Sequence, residues 1–398
     1  MPTLLQINVT ANWGSTGKIT EQIGVLAQQH GWDSYIAYGR DMNPSKNKLV
    51  KIGSMKDVYE HYIENLFLDN EGCASRKSTK KFLKEVDRIK PEIVHLHNIH
   101  DHYLNFKLLF EYLNGTDIKV VWTLHDCWAI TGHCMHFVTK NCNRWIKGCY
   151  DCPMKGEYPK SFLDRSRHNW ILKKRLFADN KNLTIVACSN WIADFVKKSY
   201  LSEKRLEVIH NGCDIKQFKP LTRQQCSKYR IIAVSSIWYP NKGELDIYKL
   251  RAMLPEDEYE IVMVGLSAEQ INNLPPGIKG IMRTQNVQEL VQLYSDADVL
   301  INPTYEDNFP TVNIEALACG TPVITYRTGG SPEAINEFTG TVVEKGNLIA
   351  LCEKIQEFKT INFKENHSND CRKRAEELFD KDKCFMKYID LYNSILCK

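Results

Sequence analysis

The chain has 398 residues, 43% hydrophobic and 25% charged, a balance that excludes a disordered or fibrous polymer and makes two domains the starting expectation. Its 52 basic and 48 acidic side chains give a net charge of +4, too weak to imply nucleic acid as a partner. The charge is uneven. Residues 1–215 hold 30 basic and 23 acidic side chains, and residues 216–398 hold 22 and 25. The first part is therefore the one expected to meet an anionic partner, such as a membrane surface or a phosphorylated acceptor.

Predicted strands follow one another along the chain as short, nearly continuous apolar runs. They are 4–9, 34–38, 92–97, 119–124, 184–189 and 206–210, then 229–236, 259–265, 298–302, 322–326 and 340–344. Such runs suit parallel strands buried on both faces. Helical patterns fall between them at 77–89, 164–178, 190–198, 288–296, 311–319 and 383–396. In the first of these, Phe82, Leu83, Val86 and Ile89 make a stripe with Lys77, Lys80, Lys81, Lys84 and Arg88 around it. The alternation predicts α/β architecture with two doubly wound, Rossmann-like sheets. The polar stretch 214–228 places the joint near residue 220, with domains 1–219 and 220–380 and a last helix in 381–398 that returns to the first domain.

No charged and apolar leader opens the chain, and no run approaches the roughly 20 apolar residues of a membrane span. The expectation is a cytoplasmic protein whose thiols stay reduced. Fourteen cysteines are then unusual. Cys134, Cys142, Cys149 and Cys152 stand as C-x7-C-x6-C-x2-C in the irregular segment 127–153, with Cys127, His133 and His136 in reserve. Four thiolates, two of them closely spaced, suit a structural zinc, ahead of an iron–sulfur cluster. Four unligated thiols in a loop is the alternative.

Four further segments carry candidate chemistry. WGSTGKI (13–19) is a glycine-rich turn from strand to helix, with Gly14, Thr16 and Gly17, and matches neither a Walker A loop nor G-x-G-x-x-G. HLHNIHDH (95–102) puts His95 and His97 on one face of a strand, where they are candidates for an acceptor pocket. TLHDCW (123–128) sets His125 and Asp126 at a strand carboxyl end. NPTYEDNFPTVNIEALACGTPVITY (302–326) is the most informative. A helix beginning at Pro310 or Thr311 would offer its amino end to a diphosphate, and Glu315 lies one turn inside it, placed to accept from two ribose hydroxyls. On residue chemistry alone, Asp307 as a helix cap and Glu315 as an ordinary surface residue stand equal with that reading.

Segment 302–326 resembles the donor-binding signature of glycosyltransferase family 4, retaining enzymes of the GT-B fold. Glu315 and the following ALACGTPV match it closely. The first acidic position falls on Asp307, with Glu306 beside it, in a version similar to capsule and exopolysaccharide transferases. The resemblance implies two Rossmann-like domains around a central cleft. It implies a UDP- or GDP-sugar donor, a glycan or lipid-linked acceptor, and no catalytic metal. It also assigns donor contacts to Asn308, Phe309, Pro310 and Thr311, and to Ser236 and Lys242 in VSSIWYPNKG. The arginine that usually precedes this lysine is replaced by Ile237, so that cationic contact is either missing or supplied by Arg283 of IMRTQNV; Val287 of the same stretch is a further donor-contact candidate. His125, Asp126 and Asp307 become catalytic candidates. His95, His97 and Asn211 of HNGCD become acceptor-side candidates. Two other readings stay open, a sugar-nucleotide epimerase of the same fold and a zinc-dependent nucleic-acid-binding protein; the cysteines lack the basic, aromatic-interleaved surroundings that the last would need.

Overall fold

A computed structural model describes residues 1–224 and 226–397. The chain forms two units: Met1–Ile209 together with the chain from Phe385 onward, and His210–Cys384. The polar stretch after residue 213 belongs to the second unit, because Arg372 donates to the carbonyls of Ile215 and Phe218 as well as to that of Ala318.

The first unit holds seven parallel strands: β1 (Thr3–Asn8), β2 (Asp33–Tyr38), β3 (Lys48–Lys51), β4 (Ile93–Leu96), β5 (Lys119–Leu124), β6 (Leu183–Ala187) and β7 (Arg205–Val208). They lie in the order β3-β2-β1-β4-β5-β6-β7. Its helices are α1 (Gly14–Gln29), α2 (Met55–Leu68), α3 (Arg76–Ile89), α4 (Phe106–Asn114), α5 (Ser166–Ala178) and α6 (Asn190–Lys198). In register, Leu5 pairs with Val94, Val94 with Val120, and Val120 with Leu183, so one buried row crosses the central strands. Phe110, Trp122 and Phe177 pack at one point of this core, with ring centroids 4.4 to 5.7 Å apart.

The second unit holds six parallel strands: β8 (Tyr229–Val234), β9 (Tyr259–Val264), β10 (Ile278–Ile281), β11 (Val299–Asn302), β12 (Val323–Tyr326) and β13 (Gly340–Val343). Their order is β10-β9-β8-β11-β12-β13. The helices are α7 (Glu244–Met253), α8 (Ala268–Asn272), α9 (Val287–Asp296), α10 (Thr311–Ala318), α11 (Leu348–Thr360) and α12 (Phe363–Leu378). The last helix, α13 (Lys381–Leu396), starts in this unit; its later residues Tyr388 and Tyr392 are buried and hydrogen-bonded within the first.

Both sheets are doubly wound, as the strand pattern predicts. Two edge strands, β3 and β10, escape that pattern. Their sequences KLVK and IKGI lack a continuous apolar run, because an edge strand is only partly covered. Each sheet reverses its winding once, between β1 and β4 and between β8 and β11. Loops leaving those strand carboxyl ends diverge, and ligands of such sheets sit there.

Candidate active site

At the switch point of the second unit, the loops after β8 and β11 are tied together. The carbonyl of Asn241 accepts from the Tyr305 N–H (2.8 Å) and from Thr304 Oγ1 (3.2 Å). This tie sets Lys242 Nζ 2.6 Å from Asp307 Oδ2. Burial would lower the Lys242 ammonium, but Asp307, Tyr239 and Glu306 outweigh it and hold it above its usual value. The loop after β12 braces the same place: the Gly330 N–H donates to the Asn308 carbonyl at 3.1 Å. Neighbouring Gly329 has φ +52°, and a Cβ there would lie 1.5 Å from the Asp307 carbonyl oxygen, so only glycine fits. The adjacent glycines of RTGGSPEA, just after a strand, carry that signal in the sequence, although no site role was expected of them.

Helix α10 starts at Thr311 with Pro310 before it in extended conformation, and no side chain caps its amino end. The positive end of the helix is therefore not answered by a capping side chain. Glu315 is half-buried one turn in, and Tyr294, itself fully buried, donates its hydroxyl to Glu315 Oε2 at 3.1 Å. Phe309 is buried instead of open, its ring 4.8 Å from that of His210 and 5.8 Å from that of Phe379. Ser236 is exposed in the loop after β8. Arg283 is exposed two residues beyond β10, an edge strand separated from β11 by β9 and β8. Val287 opens α9, whose amino end is already capped by Asn286. Asn211 is buried and lies in the second unit.

At the switch point of the first unit, Gly14 begins α1 and Gly17 packs against the preceding loop. A Cβ on Gly17 would lie 2.6 Å from Thr10 Oγ1. Asn8 Nδ2 donates to Thr16 Oγ1 at 3.4 Å, holding the turn to the end of β1. His95 and His97 on β4 are both buried, and they differ in what they join. His95 bonds Thr123 Oγ1 (2.8 Å) and the Tyr392 hydroxyl (2.7 Å), a core network with α13. Asp126 is also buried, with one oxygen 2.8 Å from His100 Nε2 and the other accepting the Trp128 N–H at 2.8 Å. Burial works against the Asp126 carboxylate, but His100 and the other donors outweigh it and hold it down at about 2.

His97 leads to half-buried His125 through a chain whose proton positions can be read. Gln6, buried on β1, gives its amide N–H to the Thr20 carbonyl (2.9 Å), which turns Gln6 Oε1 toward His97 Nε2 (3.2 Å). His97 Nε2 must therefore carry the proton, and Nδ1 must accept. The atom 3.0 Å from that Nδ1 is His125 Nε2, which must donate. Burial lowers both imidazoles, His125 to about 4, so both are neutral near pH 7. A neutral His125 protonated at Nε2 has a lone pair at Nδ1, and whatever meets Nδ1 must be a donor. Gln6 carried no sequence signal, because an amide in a strand reads as an ordinary polar residue.

All four expected thiols of the segment 127–153, Cys134, Cys142, Cys149 and Cys152, line one small cavity. None is in a disulfide. The Gly132 N–H donates to Cys149 Sγ at 3.2 Å. Among the described residues, no three or more His, Cys, Asp or Glu side chains are already gathered as a metal site. Of the reserve ligands, His133 lines the same cavity; its Nδ1 lies 2.6 Å from Asp69 Oδ1, and its buried Nε2 has no hydrogen-bond partner. The segment also has an aromatic core, Phe137 and Trp145 stacked at 5.1 Å and both set against Phe195, which the sequence pattern did not suggest.

Two doubly wound parallel sheets, with a lysine–carboxylate pair and an uncapped helix start at the switch point of the second, define the GT-B class. Residues 20–217 match the family described as Glycosyltransferase Family 4, and residues 223–378 match Glycosyl transferases group 1. The colanic acid biosynthesis glycosyl transferase WcaC of Escherichia coli is 26% identical over 374 residues, 88% of this chain and 89% of that one. The capsular polysaccharide biosynthesis glycosyltransferase CapM of Staphylococcus aureus is 33% identical over 120 residues, 29% of this chain and 31% of that one. In structure, sucrose-phosphate synthase of Thermosynechococcus elongatus aligns over all of both chains at TM-score 0.76 and 17% identity. Anabaena HepE in complex with UDP-glucose aligns over 98% of this chain and 99% of that one, at TM-score 0.65 and 14% identity. The chain belongs to the family 4-type glycosyltransferases of the GT-B fold.

Proposed function

We propose that this glycosyltransferase moves a sugar, with retention, from a UDP- or GDP-sugar to a hydroxyl of a glycan or lipid-linked acceptor in polysaccharide synthesis. The observation that carries the reading is the meeting of Lys242, Asp307 and the uncapped start of α10 at one switch point, with Glu315 one turn inside that helix. The relatives support the setting, since WcaC and CapM are named for colanic acid and capsule synthesis and HepE was solved with UDP-glucose.

In this reading Glu315 accepts the ribose hydroxyls, while the start of α10 and Lys242 hold the diphosphate. Negative charge grows on that diphosphate as the glycosidic bond breaks, so these groups act most strongly where the transition state needs them. Lys242 begins paired to Asp307, and a diphosphate at Lys242 competes with that carboxylate. Asp307, or Glu306 beside it, then turns to the sugar hydroxyls. His125 receives a hydrogen bond from a hydroxyl through Nδ1. The leaving phosphate assists deprotonation of the acceptor. A thermal-shift screen of nucleotide sugars tests the donor assignment: one base and sugar should raise Tm by several degrees while free sugars do not. A flat response to every UDP- and GDP-sugar would sink it, and conversion of the donor with no acceptor present would mark an epimerase instead.

We also propose a structural zinc on Cys134, Cys142, Cys149 and Cys152, supported by their shared cavity and the absence of disulfides among them. Closing four thiolates on one ion requires side-chain rotation within that cavity. Metal analysis after reducing purification should find about one zinc per chain. Cys149→Ser should lose that zinc and several degrees of Tm together; a metal-free native protein of unchanged stability would refute the site.

A further inference from the structure

The cysteine segment 127–153 holds one side chain that its thiols alone do not explain. Helix α2 ends at Leu68, and Asp69 follows it in left-handed conformation, φ +47°. Asp69 is fully buried. Its carbonyl accepts from Asn169 Nδ2 at 2.8 Å and its Oδ2 from the Arg165 N–H at 2.7 Å, so the residue is clamped to the start of α5. The other carboxylate oxygen, Oδ1, meets His133 Nδ1 at 2.6 Å. A carboxylate can only accept, so the proton of the neutral ring sits on Nδ1 and the lone pair on Nε2. That Nε2 is buried and has no hydrogen-bond partner, and the ring lines the cavity of the four thiols.

The thiols are not equivalent around this atom. Cys134 and Cys149 are buried, and Cys152 hydrogen-bonds Cys134 and interacts electrostatically with His133. Cys142 is only partly buried and meets the group through Cys149. Charge makes the same distinction. Lys173 on α5 is fully buried, donates to the carbonyls of Trp128 (2.8 Å) and Thr131 (3.1 Å), and interacts electrostatically with Cys149 and Cys134. A divalent ion on three thiolates and a neutral imidazole carries one net negative charge, which one ammonium balances. A fourth thiolate would add a second buried charge. Among the lining residues only Arg144 could answer it, and Arg144 is partly exposed and already bonded to the Tyr150 and Asp151 carbonyls.

We propose that the ion of this segment is held by Cys134, Cys149, Cys152 and His133 Nε2, with Asp69 orienting the imidazole and Cys142 outside the coordination sphere. The inference rests on the zinc reading above and exchanges one of its ligands. A ligating histidine usually gives its other N–H to a carboxylate, which fixes the tautomer and the ring plane and makes the ligand nitrogen more basic. Asp69 stands in that relation to His133 and is itself held by Arg165 and Asn169. The imidazole is then the fixed corner of a tetrahedron, and the thiols turn to it by rotation about one bond each. Zinc takes sulfur and nitrogen donors together in such sites. The same ligand ties the segment after β5 to the junction of α2 and α5, which gives the ion a structural task beyond the loop itself.

X-ray absorption at the zinc edge, on the full chain purified under reducing conditions, tests this without any substitution. The expected coordination is three sulfurs at about 2.3 Å and one nitrogen at about 2.0 Å. Four sulfurs would overturn the His133 assignment and leave the zinc reading standing. A native chain without zinc would overturn both. Competition with a chelator then separates the ligands. Asp69→Asn keeps a side chain suited to the left-handed position and should weaken zinc binding by about 10- to 100-fold. His133→Gln should weaken it at least as much. Cys142→Ser should keep one zinc per chain, with the affinity and the absorption spectrum of the native protein. Loss of zinc from Cys142→Ser, or native affinity in His133→Gln, would overturn the ligand set. Should either variant fail to fold, the spectrum of the native chain decides alone.

Discussion

Glu315→Gln is expected to weaken nucleotide-sugar binding by one to two orders of magnitude while leaving the fold intact. A carboxylate accepting from neutral hydroxyls contributes about 1.5–3 kcal/mol more than water can replace, and glutamine keeps the shape without the charge. The choice of glutamine matters. Tyr294 is fully buried and gives its hydroxyl to Glu315 Oε2. Glu315→Ala would strand that hydroxyl, at about 1–3 kcal/mol of stability, and so mix a folding defect with a binding one. In Glu315→Gln the side-chain oxygen still accepts from Tyr294, so Tm should move little and calorimetric affinity should move a great deal. Unchanged affinity for the donor found in the screen would remove Glu315 from the site.

The second large effect is expected at a residue that touches no substrate in the proposed reading. His97→Gln should lower kcat by about one to two orders of magnitude with a smaller change in KM for the donor, because a misdirected group costs rate before it costs binding. The carboxamide of asparagine falls near the Nδ1 position of a histidine and that of glutamine near Nε2. His97→Asn can therefore still accept from His125 Nε2, whereas His97→Gln keeps the Gln6 side of the chain and loses the His125 side. His97→Asn should retain most of the turnover. Nitrogen spectra of histidine-labelled protein supply the readout that a mere packing role would not move. In the native protein His125 should be neutral and protonated at Nε2 down to the region of its value of about 4. A native His125 protonated at Nδ1 would refute the chain of assignments, and full activity in His97→Gln would refute its importance.

These residues also show where sequence reading stops. Strand after strand was legible, since β4, β6, β11 and β12 are buried from end to end, β5 is buried in all but its first residue, and their sequences are mostly apolar. β3 and β10 were not, because edge positions ask less of their side chains. Helix α2 was missed for a related reason. Its apolar residues include an outward row, so it shows no clean split between a buried and a polar face. Phe309 and His95 sit inside motifs that invite a functional role, yet the structure packs one against His210 and Phe379 and ties the other into a network with Thr123 and Tyr392.

What the sequence determined by itself is whatever depends on neighbours along the chain: two parallel sheets, the helix start after Pro310, the place of Glu315 within it, and the family. What only the tertiary structure decided is whatever depends on distant segments meeting. Lys242 and Asp307 are 65 positions apart, and Gln6 and His97 are 91 apart. No local pattern records such a partner, because each residue satisfies its own strand or loop equally well without it.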